Sequence, residues 1–350
     1  MMYSYPPYPT ENGIIPGQAE KKRIRKLYNS TGLALIFQYA LTYVIVIIAI
    51  LIMGDLISEE YNEKGARIVG FAEAALMYCA PAASSIITFF IYSAWHRINI
   101  PKLFSTEKLT GGYIGKSTLI TLLFYQAGML LLYVTYVIVA VLGYDIPSLN
   151  YELDNDIRTT VMDVFTSIIL APIAEELFFR GIVLKQLSKV SLRFGIIASA
   201  VLFGLMHGNI FQFVMATTVG IAFAYADAKA DSLIPSIIGH MAVNLTASIP
   251  QLIELKFSEE LSGGVSFIIA AIEVVLGAVM LVYVIRRSGI KLPSYTEYHK
   301  QRTLPIIITS AAMIIITLIY LYDIFSCLEK VDPEQLEEIT EAAASFFIKI

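Results

Sequence analysis

Nine long apolar runs dominate the chain, at about residues 31–53, 68–95, 117–143, 160–184, 194–208, 211–228, 233–250, 265–285 and 304–322. A helix needs about twenty such residues to cross the ~30 Å hydrocarbon core of a bilayer. Within lipid, every backbone N–H and C=O must be satisfied internally, so the spanning element is a helix or a closed barrel. Runs of this length and continuity specify helices. The fifth, sixth and seventh are short and carry polar residues. Composition agrees: 57% of the 350 residues are hydrophobic and 15% are charged, against roughly 25% charged in a soluble domain. A soluble chain could not bury that much apolar surface, and disorder requires the opposite balance. The expected fold class is all-α, a polytopic transmembrane helix bundle of about nine spanning helices.

The basic residues test that count. With the N-terminus in the cytoplasm and alternating crossings, eighteen of the 25 Lys and Arg fall in cytoplasmic segments and six in outer ones, with Arg180 inside a helix. Lysine and arginine favour cytoplasmic loops, and omitting one central helix would invert everything after it. The protein is thus expected to be integral to a membrane, with its N-terminus cytoplasmic and its C-terminus outside. Residues 1–30 read as a polar cytoplasmic segment rich in Pro and Tyr, 31–322 as the helical bundle, and 323–350 as an acidic tail. From about Pro333 the tail could form a short amphipathic helix. No cleavable signal peptide is visible, so the first helix would serve for insertion. A net charge of −4 and the lack of a basic arm argue against nucleic acid as a partner. Cys79 and Cys327 cannot make a disulfide framework.

Ionisable residues inside spanning helices are costly and mark function. Here they are Glu73, Asp163, Glu175, Glu176, Arg180, His207, His240 and Glu273. Five gather on three helices: Glu175, Glu176 and Arg180 on the fourth, His207 on the fifth beside Phe203, and His240 on the seventh with Asn244. Glu176 and Arg180 stand at i, i+4 and can pair. His240 and Asn244 share a face by the same spacing. Gly204 and Gly208 make a small-xxx-small pair beside His207, favouring close helix approach. At ~1.5 Å per residue, Glu175, His207 and His240 all lie near mid-membrane and can share one cavity. Asp163 lies close enough to its helix end to be interfacial, while Glu73 and Glu273 stand alone on separate helices. Phe203 reads as a packing residue.

Such a cavity suits hydrolysis of an acyl bond. A carboxylate helped by a His can deprotonate water, desolvation makes the carboxylate a better base, and a His with an Asn can stabilise a tetrahedral oxyanion. Alternatively, Glu175, His207 and His240 compose the His₂Glu donor set of a catalytic zinc site, although the helical H-E-x-x-H motif is absent.

The ordered motifs E-E-x-x-x-R (Glu175, Glu176, Arg180), F-x-x-x-H (Phe203, His207) and H-x-x-x-N (His240, Asn244) resemble the signature of the CPBP family. These are CAAX-protease-related (Abi) intramembrane proteases, including the type II CAAX prenyl endopeptidases and bacteriocin-immunity proteins. The resemblance covers about 160–250 and implies a glutamate-type peptidase in a prokaryotic cell membrane. In it Glu175 activates water with His207, and His240 and Asn244 bind the oxyanion. Glu176, Arg180 and Phe203 support them. No metal is favoured, zinc on Glu175, His207 and His240 being the alternative. The family core is commonly eight helices, so the ninth is expected outside it. The implied substrate is a membrane-embedded or lipidated peptide or protein, including prenylated CAAX-type tails. The competing expectations are a non-catalytic immunity or scaffold protein on the same fold and an ion-coupled transporter. Intact motifs disfavour the first, and the absence of a repeat disfavours the second. Oligomeric state is not readable from the sequence.

Overall fold

The computed structural model describes residues 18–54, 60–61, 67–145, 151–153, 157–189, 191–254, 256–288 and 309–330. The expected tail helix after Pro333 and residues 1–17 of the polar segment 1–30 lie outside them, while 18–30 form the start of the first helix. The principal helices are α1 (Gln18–Met53), α2 (Phe71–Trp95), α3 (Gly111–Val141), α4 (157–187), α5 (Leu192–Leu205), α6 (Ile210–Ala230), α7 (Ile234–Glu254), α8 (Glu259–Ser288) and α9 (Ala311–Ser326). Five of them, α1, α2, α3, α6 and α8, are long and apolar enough to cross a bilayer, and α5 and α9 are shorter apolar helices. The remaining two, α4 and α7, carry the Glu-Glu-Arg and His-Asn motifs. The molecule is an all-α membrane bundle.

Cross-helix contacts fix the relative directions of several pairs of rods. Gln38 and Ser30 of α1 meet Ser84 and Tyr92 of α2, so those helices run antiparallel. On α3 and α6, Tyr113 pairs with Ala226 and Gly128 with Met215, again antiparallel. Lys116 and Gln126 of α3 meet Tyr283 and Glu273 of α8 in the same sense. By contrast α1 and α9 are parallel: Asn29 accepts from the Ala312 amide, and Tyr39 donates to Asp323. First and ninth rods running the same way is what nine alternating passes require.

Short strands collect at one end of this bundle. Arg67–Val69 pairs in parallel with Tyr151–Leu153 and antiparallel with Glu60–Tyr61, and Tyr144–Asp145 pairs with Glu329–Lys330. They follow α1, α3 and α9 or precede α2 and α4, so they mark the end opposite the basic segments. The apolar-run reading does not anticipate them, since two- and three-residue strands leave no periodic signal.

Small residues and polar pairs hold the rods together, as membrane helices require, because lipid is as apolar as a leucine surface. A Cβ at Gly32 would lie 2.6 Å from the Met313 amide, so α1 and α9 touch backbone to backbone there. Thr42 and Ser84 hydroxyls join α1 to α2 at 2.6 Å. Glu273, buried on α8, accepts from Gln126 of α3 at 2.6 Å and Thr246 of α7 at 2.9 Å. It therefore lies inside the bundle as a three-helix tie. Asp163, near the outer end of its helix, is buried and reached by Tyr78 and Gln251 side chains. Glu73 lies in the first turn of α2. Both cysteines are free.

Candidate active site

The helix carrying the first motif is irregular where it matters. Two π-helical stretches, Thr166–Leu170 and Phe179–Leu184, bracket the regular turns Ala171–Phe178. Pro172 explains the first. Its ring crowds the preceding turn and it has no N–H to give. The wide turn closes with the Ala171 amide on the Thr166 carbonyl. The next bond of that kind would run from residue 172 to the Ser167 carbonyl, and proline cannot make it. Asn244 does instead: its Nδ2 donates to that carbonyl at 2.7 Å. Motif one and motif three are thus tied by a carbonyl that a proline sets free.

Glu176 is the hinge of the site. It and Arg180 are fully buried, with Oε2 3.0 Å from Arg180 Nε in ion-pair contact. Its other oxygen, Oε1, lies 3.0 Å from His240 Nδ1. A carboxylate paired with arginine can only accept, so Nδ1 carries the proton and Nε2 is the nitrogen His240 offers. That Nε2 stands 3.8 Å from Glu175 Oε2. Arg180 also donates to the Gly220 carbonyl at 3.3 Å, and its guanidinium lies 4.4 Å from the Phe203 ring centre and 5.1 Å from that of Phe223. A buried charge needs such contacts, since an unpaired one is prohibitively costly. Phe223 stacks on His240 at 5.0 Å, while Phe203 meets His240 and His207 edge-on at 5.8 and 5.1 Å. Phe203 therefore packs against both imidazoles and the arginine.

His207 departs from its expected place. The helix α5 stops at Leu205, and His207 lies in the turn that follows, so it is not on the helix. Gly208, with φ of +67°, reverses the chain there, a conformation that glycine adopts without strain. Asn209 then caps α6 by accepting from the Gln212 amide at 2.8 Å. Only Gly204 of the expected glycine pair packs helix to helix: a Cβ there would meet Thr217 and the Phe213 carbonyl of α6. Within the turn, His207 Nδ1 donates to the Phe203 carbonyl at 2.9 Å, leaving Nε2 available. The turn is held from the other side by α9, where Cys327 Sγ donates to the Gly208 carbonyl at 3.4 Å. The end of α9 thus covers the turn.

The structure thus joins Glu175, Glu176, Arg180 and His240 directly, and links His207 to them through Phe203. It joins Asn244 through Ser167 rather than to a neighbouring motif side chain. Among the described residues no three His, Cys, Asp or Glu side chains converge closely enough to hold a metal ion. The donor set Glu175, His207 and His240 does not fit zinc as it stands, because these three side chains do not converge on one point. One residue is absent from the sequence reading: Asp227, buried at the end of α6, accepts from the Ser236 amide at 2.9 Å and the Ser236 hydroxyl at 2.6 Å. Ser236 is one turn before His240, so Asp227 anchors the helix that carries that histidine. Pro235, in the first turn of α7, was the signal that a helix begins there and needs a cap.

Residues 157–246 match the model of the Rce1-like family, described as type II CAAX prenyl endopeptidase. The family resemblance holds over this segment. A curated protein of Bacillus subtilis (strain 168), named "Putative membrane peptidase YdiL", is 30% identical over 97 residues, which are 27% of this chain and 40% of that protein. The matched stretch spans well under half of the relative's length. No solved structure matches. The segment is similar at family level to CAAX-type membrane peptidases, and α1, α2, α3, α8 and α9 lie outside the matched residues.

Proposed function

We propose that the protein is an intramembrane endopeptidase hydrolysing a peptide bond in a membrane-associated or lipidated substrate, of which a prenylated CAAX-type tail is one class. The observation that carries this is the double use of Glu176, which holds Arg180 with one oxygen and His240 Nδ1 with the other. That arrangement aims His240 Nε2 at the side of the cavity where Glu175 stands. In this reading Glu175 takes a proton from the attacking water, and the resulting hydroxide adds to the scissile carbonyl. His207 Nε2 orients the water, its other nitrogen being committed to Phe203. His240 enters the step as the imidazolium, its second proton taken from solvent beforehand; it keeps Nδ1–H on Glu176, donates Nε2–H to the oxyanion and retains both protons when the adduct collapses. Asn244 keeps one N–H on Ser167 and has a second to offer the same oxygen. Collapse of the adduct returns the proton from Glu175 to the departing amine. No step passes through a metal.

Purified protein in detergent or liposomes, incubated with a prenylated or membrane-anchored peptide, provides the test. The wild type is expected to cleave, and Glu175→Ala and His240→Ala are expected not to. Retained cleavage in either variant overturns the assignment. Chelator treatment is expected to leave the rate unchanged, whereas a reversible loss would restore the zinc reading.

A further inference from the structure

A second feature lies away from Glu175 and His240, at the basic end of the bundle. A groove of about 800 Å³ opens between α1 and α2 and reaches the end of α4. Ligand pockets run from about 300 to 1,000 Å³. Arg23, Lys26 and Lys189 stand at its mouth, and no acidic residue is among those lining it. Its deeper wall is apolar, with Leu33, Phe37 and Ile91 exposed there, and Trp95 flanks it with 83% of its surface open. Between mouth and wall, Ser30 contacts both His96 Nε2 at 3.0 Å and Tyr92 at 3.2 Å. The distance from Lys26 to Phe37 along α1 is ~16 Å, about the depth of one leaflet's hydrocarbon.

We propose that this groove binds one anionic phospholipid, its phosphate held by Arg23, Lys26 and Lys189 and an acyl chain lying on Leu33, Phe37 and Ile91. The polarity gradient runs along the membrane normal as a lipid's does. Lys189 Nζ donates to Gln186 Oε1 at 2.6 Å, which holds it at the rim. Burial, then the Arg23 charge, pushes Lys189 toward its neutral form, and burial with the Lys189 and Lys26 charges does the same to His96. Basic pockets between spanning helices are where acidic headgroups bind. Free phosphate would satisfy the mouth and leave the apolar wall unused.

Trp95 is the one tryptophan of the chain, so its fluorescence reports on the groove alone. The full-length protein is reconstituted in zwitterionic vesicles containing a small, fixed fraction of brominated-chain phosphatidylglycerol or brominated-chain phosphatidylcholine. The anionic probe is expected to quench as if enriched on the order of fivefold at the site. Lys26→Gln with Lys189→Gln is expected to erase the difference, while Lys108→Gln, on the same side but outside the groove, keeps it. Equal quenching by both lipids in the wild type overturns the proposal, whatever the variants do. Displacement of the brominated phosphatidylglycerol by inorganic phosphate alone would reassign the mouth to a soluble anion and also overturn it.

Discussion

Glu175 and Glu176 are adjacent in sequence and opposite in circumstance. Glu176 is fully buried and shared between Arg180 and His240; Glu175 keeps 18% of its side-chain surface open and has one long contact, at 3.8 Å. The two should therefore respond differently to the same change. Glu175→Gln is expected to leave thermal stability within about 0.5 kcal/mol of wild type while lowering kcat by ~10²–10⁴; unfolding and peptide cleavage measured on one preparation check it. Arg180→Ala strands Glu176 in the interior and is expected to cost about 3–5 kcal/mol, read as a drop in the unfolding midpoint in detergent. A stable Arg180→Ala protein would mean that Glu176 is not ionised. The residue types and their spacing were legible in the sequence, since i, i+4 spacing pairs Glu176 with Arg180 in any helix. The bond from Glu176 to His240 was not, because 64 residues separate them and only packing decides which carboxylate meets which imidazole.

Helix ends and irregular turns decide where the site residues point. Among the described residues each apolar run contains a helix, although only five are long and apolar enough to cross a bilayer by that measure alone. The ends are less direct: hydropathy carries the fifth run through His207, whereas Gly208 and Asn209 stop it and start the next. Those two residues are turn and cap signals, so the break was present in the sequence but masked by continuous apolarity. Pro172 is the clearer case. Restoring its N–H would give the Ser167 carbonyl a backbone donor and release Asn244. Pro172→Ala is thus expected to regularise the π turn, with little loss of stability and about a fivefold fall in kcat, the loss of one hydrogen bond of roughly 1 kcal/mol being the measure of Asn244's hold. Comparing kcat in Pro172→Ala, Asn244→Ala and the double variant checks it. If the two single effects add fully, the carbonyl does not position Asn244.

At the scale of the molecule, α1 and α9 close the bundle outside the matched segment, and the turn holding His207 rests on α9. Gly32 is the tightest point of that closure, 2.6 Å from the Met313 backbone for any added Cβ. Gly32→Leu is expected to force the pair apart at a cost of about 1–3 kcal/mol and to lower cleavage further than stability alone explains, as the Gly208 turn loses its cover. The parallel course of α1 and α9 also turns the charge asymmetry into a prediction about sidedness. Cys327, exposed beyond α9, lies at the end where the short strands gather. Lys108, exposed in the segment before α3, lies at the end where basic residues dominate. If the basic end faces the cytoplasm, as positive residues near spanning helices favour, a membrane-impermeant maleimide added to intact cells should label Cys327 in a Cys79→Ser background. A Lys108→Cys variant in a cysteine-free background should label only after the membrane is permeabilised. The reverse pattern would invert the bundle and leave the fold unchanged. Labelling of both sites in intact cells would break the alternation, because helices that begin and end on opposite sides cannot expose both to one compartment.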